Sequence, residues 1–280
     1  MSLESPSIAG SVIPRKIMGS RSQGIRLLLI PLLVYCAWVL ELFLLEGEPR
    51  LFVEYPDPSG IFIYTLIGCV LTGIVIPVIC IRKAFVSGAV NMFQLGFRSI
   101  RRTVITCSGT AAFVYAVIVL MQPFGGNKWA FLTAFLLFLP TAIASVMICW
   151  VLIGTHLQAF VRGGGALISI SVGVVITSLL FAISTLALSP ATGNQDPLFW
   201  PVCAGIAIAL FFFAVRDVYA TVLLAAVSSI LSTGSSINPS YLQTITPVFF
   251  VSPVVAAAIL VCLHWYLTRN YATVILPAGT

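Results

Sequence analysis

Charge is what this 280-residue chain has least of. Fourteen basic and eight acidic side chains make 8% of its residues, against roughly a quarter in soluble globular domains. That scarcity excludes a soluble globular domain. Strand-like alternation of apolar and polar residues is also missing, which argues against an outer-membrane barrel. The seven cysteines, Cys36, Cys69, Cys80, Cys107, Cys149, Cys203 and Cys262, include no C-x-x-C pair. A disulfide framework and a zinc spacing are therefore not expected, and these cysteines read as small apolar residues. No G-x-S-x-G, H-E-x-x-H or paired intramembrane aspartate occurs. The first 26 residues lack an apolar core followed by a small-residue cleavage site, so a removed signal peptide is not expected.

What the chain has instead is apolar length. Hydrophobic residues make up 60%, in runs that repeatedly reach the ~20 residues a helix needs to cross a bilayer. The expected fold is all-α: a polytopic helical membrane protein. Its parts are a basic amino-terminal segment (1–24), a single helical membrane domain (25–267) and a short tail (268–280). Spans are expected at about 25–45, 61–81, 103–121, 129–155, 166–188 and 248–267, with one long apolar stretch over 198–231. As a single helix that stretch would extend about 51 Å, too long for a typical bilayer without extreme tilt. Broken at Arg216-Asp217 it gives one ordinary span and one short one. Eight crossings are therefore expected, with seven as the alternative.

Charge assigns the sides. Arg15, Lys16, Arg21, Arg26, Arg82, Lys83, Arg98, Arg101, Arg102, Arg162, Arg216 and Arg269 fall in alternate gaps between spans. The other gaps hold only Arg50 and Lys128 among bases, with Glu46, Glu48, Glu54, Asp57 and Asp196. Both termini are expected on the cytoplasmic side. The net charge of +6 then reads as a topology signal and an attraction to anionic headgroups, not as nucleic-acid binding. Trp129 and Trp200 at outer span ends, and Trp150 and Trp265 toward inner ends, are expected at the interfaces that suit an indole.

Three places could carry function. Glu41 is the one acid well inside an apolar run, Trp38-Val39-Leu40-Glu41-Leu42-Phe43-Leu44. An ionisable group there marks a proton relay, an ion ligand or an interhelical pair. The plain alternative is a carboxylate tilted to water from one turn inside the outer end, or a structural hydrogen bond. Arg216-Asp217 forms a tight cytoplasmic turn with both charges in water if there are eight crossings. If there are seven it is partly buried, each charge offsetting the other's cost, and could contact an ion or a headgroup. The third place is residues 82–102. Read as a helix, Phe85, Ala89, Met92, Phe93, Gly96 and Ile100 form a stripe at three- and four-residue steps, bracketed by Arg82, Lys83, Arg98, Arg101 and Arg102. Such an amphipathic helix is expected to lie in the headgroup region, or to dock a cytosolic partner as the coupling helix of a transport permease does.

His156 and His264 lie near inner span ends with no acid on the same span, a poor metal site; no metal or cofactor is expected. Cys107-Ser108-Gly109 resembles, over three residues, the nucleophile motif of exosortase-type membrane transpeptidases. Their cysteine is expected on the outer side, Cys107 falls one turn from the cytoplasmic side, and no matching arginine and histidine motifs follow. The resemblance carries no activity over. Three functional classes stay open: first a transporter or permease-type subunit using Glu41, Arg216, Asp217 and His156; then a membrane assembly subunit packed against other subunits or its own copies; last an intramembrane enzyme acting on a lipid or peptide.

Overall fold

The computed structural model describes residues 21–44, 58–86, 92–161, 165–188, 198–233 and 250–271, and the regular structure of these residues is entirely helical. In chain order the helices are α1 (Arg21–Leu42), α2 (Pro58–Tyr64), α3 (Ile76–Val86), α4 (Met92–Leu95), α5 (Ile100–Met121), α6 (Lys128–Ser145), α7 (Thr155–Phe160), α8 (Ala166–Leu188), α9 (Phe199–Val215), α10 (Val218–Thr233) and α11 (Val251–Tyr271). Two π-helical stretches, Thr65–Val75 and Val146–Gly154, join α2 to α3 and α6 to α7. They make two continuous rods, a second rod over 58–86 and a central rod over 128–160. Among the described residues five helices are long and apolar enough to cross a membrane, and apolar parts of α1, α9 and α10 are shorter.

Local chemistry sets the breaks. α5 stops at Gln122, which is left-handed, and a 3₁₀ turn over Pro123–Gly126 reverses the chain. Asn127 then starts α6, its Oδ1 accepting from the N–H groups of Trp129 and Ala130 at 3.1 Å each, a side-chain cap of the kind that satisfies free first-turn donors. The long apolar stretch breaks where the charges suggested. Arg216 adopts the left-handed conformation (φ 55°, ψ 52°) and its N–H bonds the Phe212 carbonyl at 2.7 Å. Asp217 follows as the cap of α10, its Oδ1 accepting from the Ala220 N–H at 3.0 Å. A helix-ending residue and a helix-starting residue stand side by side.

The central rod is the core. Every residue from Val146 to Gly154 is buried, and the rod packs against α1, the second rod, α8, α10 and α11. Its crossing with the second rod is close: a Cβ built on Gly73 would overlap the Ala144 Cβ and sit 3.0 Å from the Ala144 Cα. π-Helix is rare and concentrates at special positions; both stretches lie at or beside this crossing. α5 lies at the periphery, mainly against α10, with Thr110 its one buried residue.

Two expectations are corrected. Trp150 is not interfacial: it is fully buried and packs on Phe181 with ring centroids 5.2 Å apart, because the π-helical stretch around it is enclosed on all sides. Trp129, Trp200 and Trp265 are exposed, as interfacial positions require. Nor do residues 82–102 form one amphipathic helix. α3 ends at Val86, residues 87–91 lie outside the described ones, and α4 is a single turn. Gly96 (φ +82°) then ends it, and Leu95, Phe97 and Arg98 are buried in the end of the bundle. The chain here is drawn inward by main-chain bonding, the Val218 N–H donating to the Gly96 carbonyl at 3.1 Å.

Candidate functional site

Glu41 is held inside the bundle. The Thr72 hydroxyl, from the middle of the second rod, donates to Glu41 Oε1 at 3.1 Å. Oε2 is buried with no hydrogen-bond partner in the protein, and it lies 3.9 Å from where a Gly68 Cβ would stand. The carboxyl therefore turns to the neighbouring rod instead of reaching back to water. The Thr72 contact is an interhelical hydrogen bond, one of the alternatives the sequence left, made by a half-buried side chain. Trp38, three residues earlier, is fully buried with its Nε1 also unpartnered. Just beyond, the Tyr64 hydroxyl shares a hydrogen bond of 3.0 Å with the Thr141 hydroxyl of the central rod.

Arg98, Arg216 and Asp217 meet at the opposite end of the bundle. Asp217 is fully buried; its Oδ2 accepts from the Thr106 hydroxyl of α5 at 3.0 Å. The Arg216 guanidinium points the other way, donating to the Gln94 carbonyl at 2.9 Å and to Gln158 Oε1 at 2.5 Å. It lies over the Phe212 and Phe213 rings, 5.6 and 5.0 Å from their centroids. Arg98 Nε donates to the Arg216 carbonyl at 3.0 Å. Burial, and then the nearby Arg98 charge, lower the Arg216 pKa to about 10, which leaves it a cation at neutral pH. Burial and Arg102 lower that of Arg98, while Asp217 pulls it up.

The expected tight turn at Arg216-Asp217 is present, but Asp217 is fully buried and Arg216 partly so, instead of both standing in water. Five elements converge on it, and buried charges persist only where hydrogen bonds and opposite charge replace solvent. Sequence reasoning missed the partners. Gln94, Thr106 and Gln158 carry no signal of their own, since each is an uncharged polar residue with other polar residues close by in its segment.

The remaining candidates are dispersed. His156 is buried, and its Nδ1 bonds the Leu152 carbonyl at 2.6 Å within its own helix. That bond satisfies it as a core residue and joins it to neither carboxylate. His264 has the richer setting: its Nδ1 bonds the Tyr219 hydroxyl at 2.9 Å, and its ring lies 5.3 Å from that of Phe97. Arg82, Arg101 and Arg102 are exposed. Lys83 and Phe85 fall in the last turns of α3 and Phe93 in α4, their side chains lying outside the described residues, as do Arg162 and Asp196. Among the described residues no group of three or more His, Cys, Asp or Glu is placed to hold a metal ion. The hollow between Leu137, Phe138, Thr141 and Leu188 is too small for a water molecule. In comparisons with known proteins, no family model, no curated protein and no solved structure matches this chain.

Proposed function

We propose that this chain is a multi-pass membrane protein of the transporter or permease type, with eight crossings and both termini in the cytoplasm. The observation that carries the reading is the Glu41 carboxyl, set among apolar helices and tied to Thr72 on a π-helical stretch. An ionisable group in hydrocarbon is costly, and local departures from α-helix gather at working positions. Support for eight crossings comes from the α9–α10 hairpin at Arg216-Asp217, and for the orientation from twelve bases against two in alternate gaps. The test is charge movement across proteoliposomes, recorded for a panel of ions, sugars, amino acids and organic acids. A substrate is expected to be moved by the native chain and at least tenfold more slowly by Glu41→Gln; equal rates would sink the role of Glu41. Orientation is read separately, from labelling of a cysteine placed at Arg101 or Gly125 by an impermeant maleimide. Arg101 should label from the cytoplasmic side and Gly125 from the other.

A second reading is a membrane assembly subunit. It is favoured by α5, whose 18-residue apolar window is only 11% buried and leaves a long face for lipid or another subunit. Purification in a mild detergent and native mass measurement distinguish the two, the assembly reading requiring a defined complex.

A further inference from the structure

Two buried polar atoms in the described part of α1 have no hydrogen-bond partner in the protein, Trp38 Nε1 and Glu41 Oε2. Their residues are three apart, the spacing that makes neighbours on one helix face. One is an obligate donor. The other is a carboxyl oxygen that accepts when ionised. Unpaired buried groups of this kind are costly, so two within one turn call for a partner from outside the helix.

We propose that Glu41, with Trp38 beside it, is a proton-binding site served by water and not a metal-cation site. The step is simple: the ionised carboxyl takes a proton from hydronium, leaving neutral Glu41 and water. Water suits the pair because it can accept from the indole N–H and donate to the carboxyl. A hard metal cation takes six or more oxygens, and the positive edge of an indole N–H opposes it. Titratable side chains on the elements packed against α1 are few. The second rod has Tyr64, Cys69, Cys80, Arg82 and Lys83, the central rod Lys128, Cys149 and His156, and α8 none; α1 itself adds Arg21, Arg26, Tyr35 and Cys36. Tyr64 is engaged with Thr141 and Tyr35 with the Leu180 carbonyl. The bases of these elements sit at their ends, and Glu41 is their one acid. The proposal deepens the permease reading, and rests on it for the use made of the proton.

The test is pH-difference infrared spectroscopy of the full chain in lipid vesicles, following the stretching band of a protonated carboxyl. A titrating band lost in Glu41→Gln is expected, unchanged when sodium replaces potassium at constant ionic strength. Trp38→Phe keeps an aromatic side chain and removes the donor, and should move the midpoint by about one pH unit, a tenfold change in proton affinity. Gly68→Ser is the second variant. Its Cβ would meet the Tyr64 ring at 3.7 Å and Glu41 Oε2 at 3.9 Å, both ordinary contacts, and its hydroxyl can reach Oε2 and shift the band. The proposal is overturned if no band depends on Glu41, if sodium displaces it, or if Gly68→Ser and a folded Trp38→Phe both leave it unmoved. Transport unaffected by Glu41→Gln would remove only the use of the proton in transport, and no transport of any substrate would overturn the permease reading alone, because the spectrum needs no substrate.

Discussion

The central rod and α5 are both long, apolar and free of acids, yet the best apolar window of the first is 89% buried and that of the second 11%. Hydropathy put both in a membrane and could not tell them apart. Their small residues do. In the central rod Ala144 receives the backbone of Gly73 so closely that no Cβ fits, whereas a Cβ on Gly109 of α5 would meet nothing within 4 Å. Small residues are used for close helix approach inside membranes, but they act only where a partner helix arrives.

The largest expected effect attacks that contrast directly. Gly73→Leu should abolish recovery of folded, monodisperse protein, since the side chain has to displace the Ala144 backbone. Even Gly73→Ala should cost about 1–3 kcal/mol by overpacking. Gly109→Leu should be recovered at the native level. Thermal unfolding in detergent, followed by size-exclusion chromatography, reads both; similar losses at the two glycines would mean that α5 is covered where it is shown bare.

A smaller effect is expected where α5 is tied to the rest. Asp217→Ala removes the cap of α10, worth about 0.5–2 kcal/mol, and takes the acceptor from Thr106. Asp217→Asn keeps an oxygen toward Ala220 and should recover part of the loss. Arg102→Ala, at an exposed position, should stay within about 0.5 kcal/mol. The same unfolding measurement ranks the three, and a cost at Arg102 equal to that at Asp217 would refute a buried tie.

How much of this was legible depends on whether the signal is local. α8 was expected at 166–188 and runs over those residues, since composition and a flanking glycine run fix a span without help from elsewhere. The break at Arg216-Asp217 was legible for the same reason: a charged pair inside an apolar stretch is costly unless the chain turns. What the turn packs against was not, because Gln94, Thr106 and Gln158 reach it from three distant segments. The stripe over 82–102 misled because periodicity assumes a helix, and Gly96 with a positive φ ends it. Glu41 was legible as the acid that breaks the pattern of charge. Its partner Thr72 is one hydroxyl among many, and only the fold selects it.

The smallest predicted effect tests whether α5 answers to its own sequence alone. An exposed helical position with no neighbour is governed by intrinsic propensity, in which alanine exceeds glycine by about 1 kcal/mol. Gly109→Ala should therefore stabilise by up to that amount and raise the unfolding midpoint slightly, since apolar surroundings already favour the helix at this position. Gly73→Ala, the same exchange, should lower it. Opposite signs from one substitution at two apolar sites require that burial, not hydropathy, distinguishes the rods. If Gly109→Ala also destabilises, a partner must approach α5 as closely as Ala144 approaches Gly73, and the assembly reading gains the contact surface it needs.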